Sequence, residues 1–290
     1  MIEKRTSKIV AGIILSILSL ICVLPFLLII SGSLTSETAL LVEGYGFLPP
    51  EFSWEAYSYL FADGTTIIKA YGMTFLVTIV GTFIGLIFTT MLAYAISKHN
   101  LPGKNGIAFF VFFAMLFNGG IVPTYIMYVN LFHIKNTIWA LIIPNYLVFG
   151  FYVIMMRTYF TSNLPEAVLE SARIDGASEF HIFWKIVLPM SGPIIATVGM
   201  MMGITYWNDW QNGLYYLNDK SLYTIQNVLN QINQNIAYLA QTSVSVNVAD
   251  LPTATARMAI AVIGILPVLI VYPFFQKYFV KGITMGAVKG

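Results

Sequence analysis

Polarity along the chain alternates on a long period. Apolar runs of about 20 residues, the length a helix needs to cross the hydrocarbon core of a bilayer, are separated by short polar segments. Six runs stand out, at 9–31, 70–96, 106–128, 137–156, 190–206 and 257–276, and each predicts a membrane-spanning helix. The third is the least regular: Asn118-Gly119-Gly120 followed by Pro123 predicts a broken or kinked helix whose freed backbone groups face protein or water rather than lipid. In the last run, Pro267 and Pro273 each remove a helix hydrogen bond and predict a bend. Residues 162–189, a charged stretch between apolar runs, predict two short helices with a hinge. Asn163 is placed to cap the first, Glu166 to close a capping box, and Pro165 is tolerated in the first turn. Gly176 ends that helix, Ser178 caps the second and Pro189 stops it. Along the second helix, Phe180, Phe183, Trp184 and Val187 fall at the spacing of one apolar stripe, away from His181 and Lys185.

Composition turns this pattern into a class. Hydrophobic residues make up 58% of the 290, charged residues 10%, and the mean hydropathy is +0.77, which excludes a soluble domain. The reading is an all-α polytopic membrane protein of six transmembrane helices in a single domain over 1–290, without internal repeats. With the N-terminus inside, Lys4, Arg5, Lys8, Lys98, Lys104, Arg157, Arg173, Lys185, Lys277, Lys281 and Lys289 are cytoplasmic, and Lys69, Lys135, Lys220 and Arg257 are outside. An 11 to 4 split satisfies the positive-inside rule, so both termini and the 162–189 loop are expected in the cytoplasm. The first run is longer than a signal-peptide core and no A-x-A-like site follows it. Cys22, the one cysteine, follows Ile21 rather than the small residue of a lipoprotein signal and permits no internal disulfide. The net charge of +2 comes from the loops and points to no nucleic acid.

Candidate chemistry is sparse. His99, His133 and His181 lie on different loops, so no metal site is expected. Gly103-Lys104 lacks the upstream glycine and following hydroxyl of a phosphate loop, and no other Walker-type loop occurs. No run contains Asp, Glu, Lys, Arg or His between its ends except Arg257 at the outer start of the last. Ion-coupled carriers usually place such groups at membrane depth, so the driving force is expected from outside the bilayer, at the charged loop. Asn118 and Asn145, the most polar points within the runs, either face a translocation path or form interhelical hydrogen bonds. The acidic outer segment 32–69 carries Trp54, Tyr57, Tyr59 and Phe61, as an interfacial anchor or a partner contact. Trp207-Asn208-Asp209-Trp210-Gln211-Asn212 either offers aromatic faces for the C–H faces of a sugar and polar groups for its hydroxyls, or forms an aromatic belt with a helix-terminating polar cluster. It opens an amide-rich outer loop, 207–255, in which Tyr223, Ile225, Val228, Leu229 and Ile232 suggest a helix.

Glu170-Ser171-Ala172, three residues, Gly176, nine residues and Ile186-Val187-Leu188-Pro189 resemble the EAA loop of ABC importer permeases. Only Ser171 departs among its seven specified positions, a small-for-small exchange. The Trp-Asn-Asp-Trp segment, the 282–290 ending, and Phe117-Asn118-Gly119-Gly120 with Pro123-Thr124-Tyr125 are similar to the carbohydrate branch of maltose-type, oligosaccharide and polysaccharide permeases. The resemblance implies a type I ABC importer permease fold and a noncatalytic translocation subunit in a bacterial cell membrane. In that family the loop docks in a cleft of the cytoplasmic ATPase, which implies coupling roles for Glu170, Ser171, Ala172, Asp175, Gly176, Ile186, Leu188 and Pro189. It also implies a substrate path including Asn118, Tyr125, Asn145, Tyr146, Trp207, Asn208, Asp209 and Trp210. Implied partners are a second homologous permease, two copies of an ABC ATPase that bind ATP and Mg, an extracytoplasmic solute-binding protein contacting the outer loop, membrane lipid and a carbohydrate substrate. No cofactor is implied in this chain. An importer permease for a nonsugar solute remains open, as does an ion-coupled carrier, which the lack of membrane-depth acids disfavours.

Overall fold

A computed structural model describes residues 2–144, 146–242 and 253–287, with side chains over 8–62, 64–144, 146–238 and 253–274. Among the described residues the chain is helical throughout, apart from loops and one antiparallel bridge between Thr35 and Phe52. Helix α1 (Ile2–Ser33) is apolar on every side, and Ile9, Ile13, Leu20, Leu24 and Leu27 are all exposed. A helix of that kind needs lipid or another chain around it. Next come α2 (Glu37–Glu43), α3 (Glu55–Leu60), a short 3₁₀ turn and α4 (Gly64–Ser97). α5 (Lys104–Leu116) and α6 (Ile121–Ile126) are followed by a π-helical turn at Met127–Leu131.

The third apolar run is broken where its glycines predict. α5 ends at Leu116, Gly120 takes a left-handed φ of 88°, and the segments on either side meet at 115°. Asn118 Oδ1 accepts a bond from the Gly120 N–H at 2.9 Å, satisfying one donor that the break frees. The fourth run, expected as one helix over 137–156, is divided into α7 (Trp139–Ile142) and α8 (Gly150–Asn163). Pro144 lies in the gap, lacks an N–H and disfavours helix in the residue before it. α8 then starts at Gly150, where a Cβ would stand 2.5 Å from Met115 Cγ.

The charged stretch contains α9 (Glu166–Ile174), α10 (Glu179–Ile182), a π-helical turn at Phe183–Val187 and α11 (Leu188–Met190), and it meets α12 (Gly192–Trp207) at 82°. α13 (Gln211–Tyr216), α14 (Ile225–Thr242) and α15 (Thr253–Ala287) complete the order. α15 runs through Pro267 and Pro273 without interruption. Among the described residues three helices are long and apolar enough to cross a membrane, within Lys8–Ser33, Gly64–Ser97 and Thr253–Phe274, and the total reaches five if each of the two bent pairs is one span. The six-run pattern is compatible with this count, the fourth run being divided between α7 and α8.

Contacts group the chain into two compact units, Met1–Ile68 with Val228–Pro267 and Lys69–Asn227 with Val268–Gly290. In the first unit, Glu37 on α2 is only 4% exposed, so its carboxylate must find donors within the protein. It finds them at the start of α15. Oε1 accepts from Thr253 Oγ1 and Ala254 N at 3.1 and 2.8 Å, and Oε2 from Thr255 N and Oγ1 at 2.9 and 2.7 Å. A carboxylate there also suits the positive end of the helix dipole.

In the second unit α4 and α12 approach through glycines spaced four apart on both helices. A Cβ on Gly81 would meet the Tyr206 ring at 2.6 Å, on Gly85 the Leu147 carbonyl at 3.2 Å, and on Gly199 Leu86 Cδ1 at 3.0 Å; on Gly203 it would sit 3.6 Å from Thr82 Oγ1. Small residues at this spacing allow close backbone approach where lipid supplies no hydrophobic drive. Two cores lie along these helices. One joins Ala93, Tyr94 and Ile96 of α4 to Val153, Met156 and Phe160 of α8, to Ile182, Phe183 and Val187, and to Val198 of α12. The other gathers Val77, Ala140, Leu141, Ile142, Tyr206, Tyr216 and Leu217.

Candidate functional site

The 162–189 stretch forms a hairpin. Gly176 has φ +81°, its N–H donates to the Arg173 carbonyl and the Ala177 N–H to the Ala172 carbonyl, both at 3.0 Å. This 6→1 and 5→2 pair is a Schellman motif, which closes a helix end around a left-handed glycine. Ser178 then caps α10, accepting from the His181 N–H at 3.3 Å. Both features follow the sequence expectation.

Three details differ. Asn163 does not cap α9: it is the last residue of α8, where its Nδ2 donates to the Tyr159 carbonyl at 3.1 Å, and Pro165 occupies the capping position. Pro189 does not stop the second helix. The turn before it widens, with the Leu188 N–H bonded back to the Phe183 carbonyl, and the helical stretch continues to Met190. A π turn relieves the clash that a proline ring imposes on the preceding carbonyls. The apolar stripe also divides: Phe183 and Val187 are buried with Ile182, whereas Phe180 and Trp184 are 65% and 39% exposed. The wider turn rotates these side chains off a single face.

Among the residues read as coupling positions, Glu170, Ser171, Asp175, Gly176 and Pro189 are exposed, while Ala172, Ile186 and Leu188 are half-buried against the core. Ile174 at the tip is 86% exposed. α9 has no buried residue, so one whole flank of the hairpin is open. Glu170 and Asp175 form no ion pair among the described residues; the two ion pairs present join Lys98 and Arg173 to Glu179.

The polar segment after α12 is built differently from a row of exposed sugar contacts. Trp207 is buried, with its ring 5.2 Å from Phe75 and 6.2 Å from Tyr71. Asp209 is also buried, and its Oδ1 accepts from Gln211 N and Asn212 N at 3.1 Å and from Tyr146 OH at 3.3 Å. It thereby caps α13 and ties it to the segment that follows α7. Asp209 Oδ2 is buried without a hydrogen-bond partner among the described residues. Burial pushes this carboxyl up to about 6, against the lowering effect of its bonds from Asn212, Tyr146 and Gln211. Asn208 and Trp210 are exposed.

Around this cap Asn212 Nδ2 donates to the Pro144 carbonyl at 3.2 Å, Asn227 Nδ2 to the Trp210 carbonyl at 2.6 Å, and Thr224 Oγ1 to Asn227 Oδ1 at 2.7 Å. Gly213 leaves the space that the Asn227 amide fills. The bond between Thr224 and Asn227, three residues apart at the start of α14, has a local capping signal in the sequence, whereas their bonds to the Asp209 and Trp210 carbonyls cross a turn and have none. Tyr125 stacks on Tyr216 at 5.7 Å and receives a bond from Lys135 Nζ at 3.1 Å. Tyr125 and Tyr146 flank the same core, whereas Asn118 is exposed at its own break. Asn145 lies outside the described residues, as do 288–290 of the C-terminal ending.

Long apolar helices, spans broken at glycine and proline, and an open polar hairpin together define a helical membrane transport subunit. The chain belongs to the family of binding-protein-dependent transport system inner membrane components, whose family model matches residues 81–285. It is 38% identical to protein LplC of Bacillus subtilis (strain 168) over 270 residues, 93% of this chain and 90% of that protein. It is 36% identical to the polygalacturonan/rhamnogalacturonan transport system permease protein YtcP of the same organism over 278 residues, 94% of each. Among solved structures it is similar to a chain of a bacterial ABC transporter involved in the import of the acidic polysaccharide alginate. The TM-score is 0.77 and the identity 30%, over 95% of this chain and 97% of that one. The protein is therefore a membrane permease with the ABC importer fold, working with a binding protein.

Proposed function

We propose that this chain is one of two permease subunits of an ATP-driven importer that moves an oligosaccharide or a polysaccharide fragment across a bacterial cell membrane. The observation that carries the reading is the hairpin. A Schellman-closed turn at Gly176 presents Glu170, Asp175 and Ile174 outward, with neither acid in an ion pair among the described residues. Such a surface suits a cleft on a cytoplasmic ATPase, two copies of which would bind ATP and Mg and drive the two permeases. The termini and hairpin then lie in the cytoplasm, as the distribution of Lys and Arg favours. A carbohydrate substrate is supported by the names of YtcP and the alginate transporter.

Within the path, Asn118, Asn208 and Trp210 are, among the described residues, exposed groups available to touch a sugar, and Trp210 offers a stacking face. Buried Trp207 and Asp209 and half-buried Tyr146 shape that surface from behind. Reconstitution of the complex in proteoliposomes, with the binding protein delivering neutral or acidic oligosaccharides, tests the reading. Import that requires ATP and weakens in Trp210→Ala is expected. Import driven by an ion gradient without ATP would contradict it.

A further inference from the structure

One carboxylate joins three segments around the hairpin. Glu179, the first residue of α10, accepts from Lys98 Nζ at 2.6 Å and Tyr94 OH at 3.4 Å through Oε2, and from Arg173 Nε at 2.9 Å through Oε1. Lys98 follows the end of α4, Tyr94 lies in its last turn, and Arg173 belongs to α9. Lys98 Nζ also sits 4.4 Å from the centroid of the Tyr94 ring, which packs 5.5 Å from Phe183 and 6.2 Å from Phe160. These groups form one wall of a cleft of about 500 Å³, lined also by His99, Leu164 and Glu166.

Two features make this network a mechanical link rather than a stabilising one. It is open to water, with the Glu179 side chain 50% exposed, and ion pairs in that setting add little to stability. α9, in contrast, has no buried residue, and among the described residues half-buried Leu169 and Ala172 and the bond of Arg173 hold it to the core. We propose that Glu179 is a positioning residue that fastens α9, the first arm of the hairpin, to the end of α4, on which the second arm is already packed through Phe183, so that displacement of α9 moves α4. The proposal rests on the hairpin being the ATPase contact. Without Glu179, α9 would shift while α4 lagged behind.

The test compares import with ATP hydrolysis in the reconstituted complex. Glu179→Gln keeps the shape and removes the charge. It is expected to assemble, to melt as the wild type does and to continue hydrolysing ATP, while substrate imported per ATP falls at least about fivefold, the lower end of typical coupling between sites. Glu179→Asp should recover part of the loss. Lys98→Ala cuts only the α4 arm and should show the same defect; it carries the test if Glu179→Gln does not accumulate. Unchanged import per ATP in both variants would overturn the proposal. Release of the ATPase by Glu179→Gln would also overturn it, by making Glu179 a docking contact. A wild-type complex that contains no ATPase would instead refute the functional reading, before any variant is made.

Discussion

At Asp209 a side chain read as a sugar ligand serves as a helix cap. Its Oδ1 accepts three bonds and its Oδ2 none among the described residues, so the ionised form is poorly compensated. The carboxyl's ordinary value of 3.8 rises to about 6 in the fold, so the native state binds this proton more tightly than the unfolded state. The stability owed to neutral Asp209 is present below its unfolded value and lost as pH rises through its folded one, a term on the order of 3 kcal/mol. Asp209→Asn keeps the Oδ1 acceptor and removes the charge. The melting midpoint in detergent should fall less between about pH 4 and pH 7 in the variant than in the wild type; equal slopes would contradict this account. The sequence supplied the residue types of this cluster but not their direction. Ser178 was legible as a cap because its partner is three residues away, whereas Asp209 also bonds Tyr146, whose proximity depends on how α7 and α13 pack.

Among the elements, the hairpin was the most legible because its turn chemistry is local. The left-handed Gly176 and the Ser178 cap need only their neighbours, but the outward faces of Phe180 and Trp184 depend on a π turn that helical periodicity does not contain. The breaks in the third and fourth runs show the same contrast. Gly119-Gly120 announces one, while the extent of the other reflects the fit of Gly150 against Met115. Gly176 allows strain and bulk to be separated. No atom lies within 4 Å of a Cβ placed there, so a side chain has room in the free chain. Gly176→Ala should bear only the left-handed backbone cost of about 1–2 kcal/mol. Gly176→Trp adds bulk at the tip and should abolish import while membrane insertion persists. Normal uptake by the Trp variant would remove the hairpin from the coupling mechanism.

Across the molecule, length, composition and the period of the apolar runs were enough to establish an all-helical membrane protein, and the spacing of Glu170, Gly176 and Pro189 carried the resemblance to a permease. Less legible was how the runs pack. The seam of Gly81, Gly85, Gly199 and Gly203 carries small residues four apart on two helices, a spacing visible in the sequence but informative only once α4 and α12 are seen to meet. α1 presents Ile9, Leu20 and Leu27 without cover, and lipid or the second permease would supply it. The most direct test of the account is the composition of the native complex, extracted in mild detergent through a tag on the C-terminus. Extraction should recover a second, homologous permease with two copies of an ATPase for each copy of this chain. Recovery of this chain alone, transporting without ATP, would contradict it.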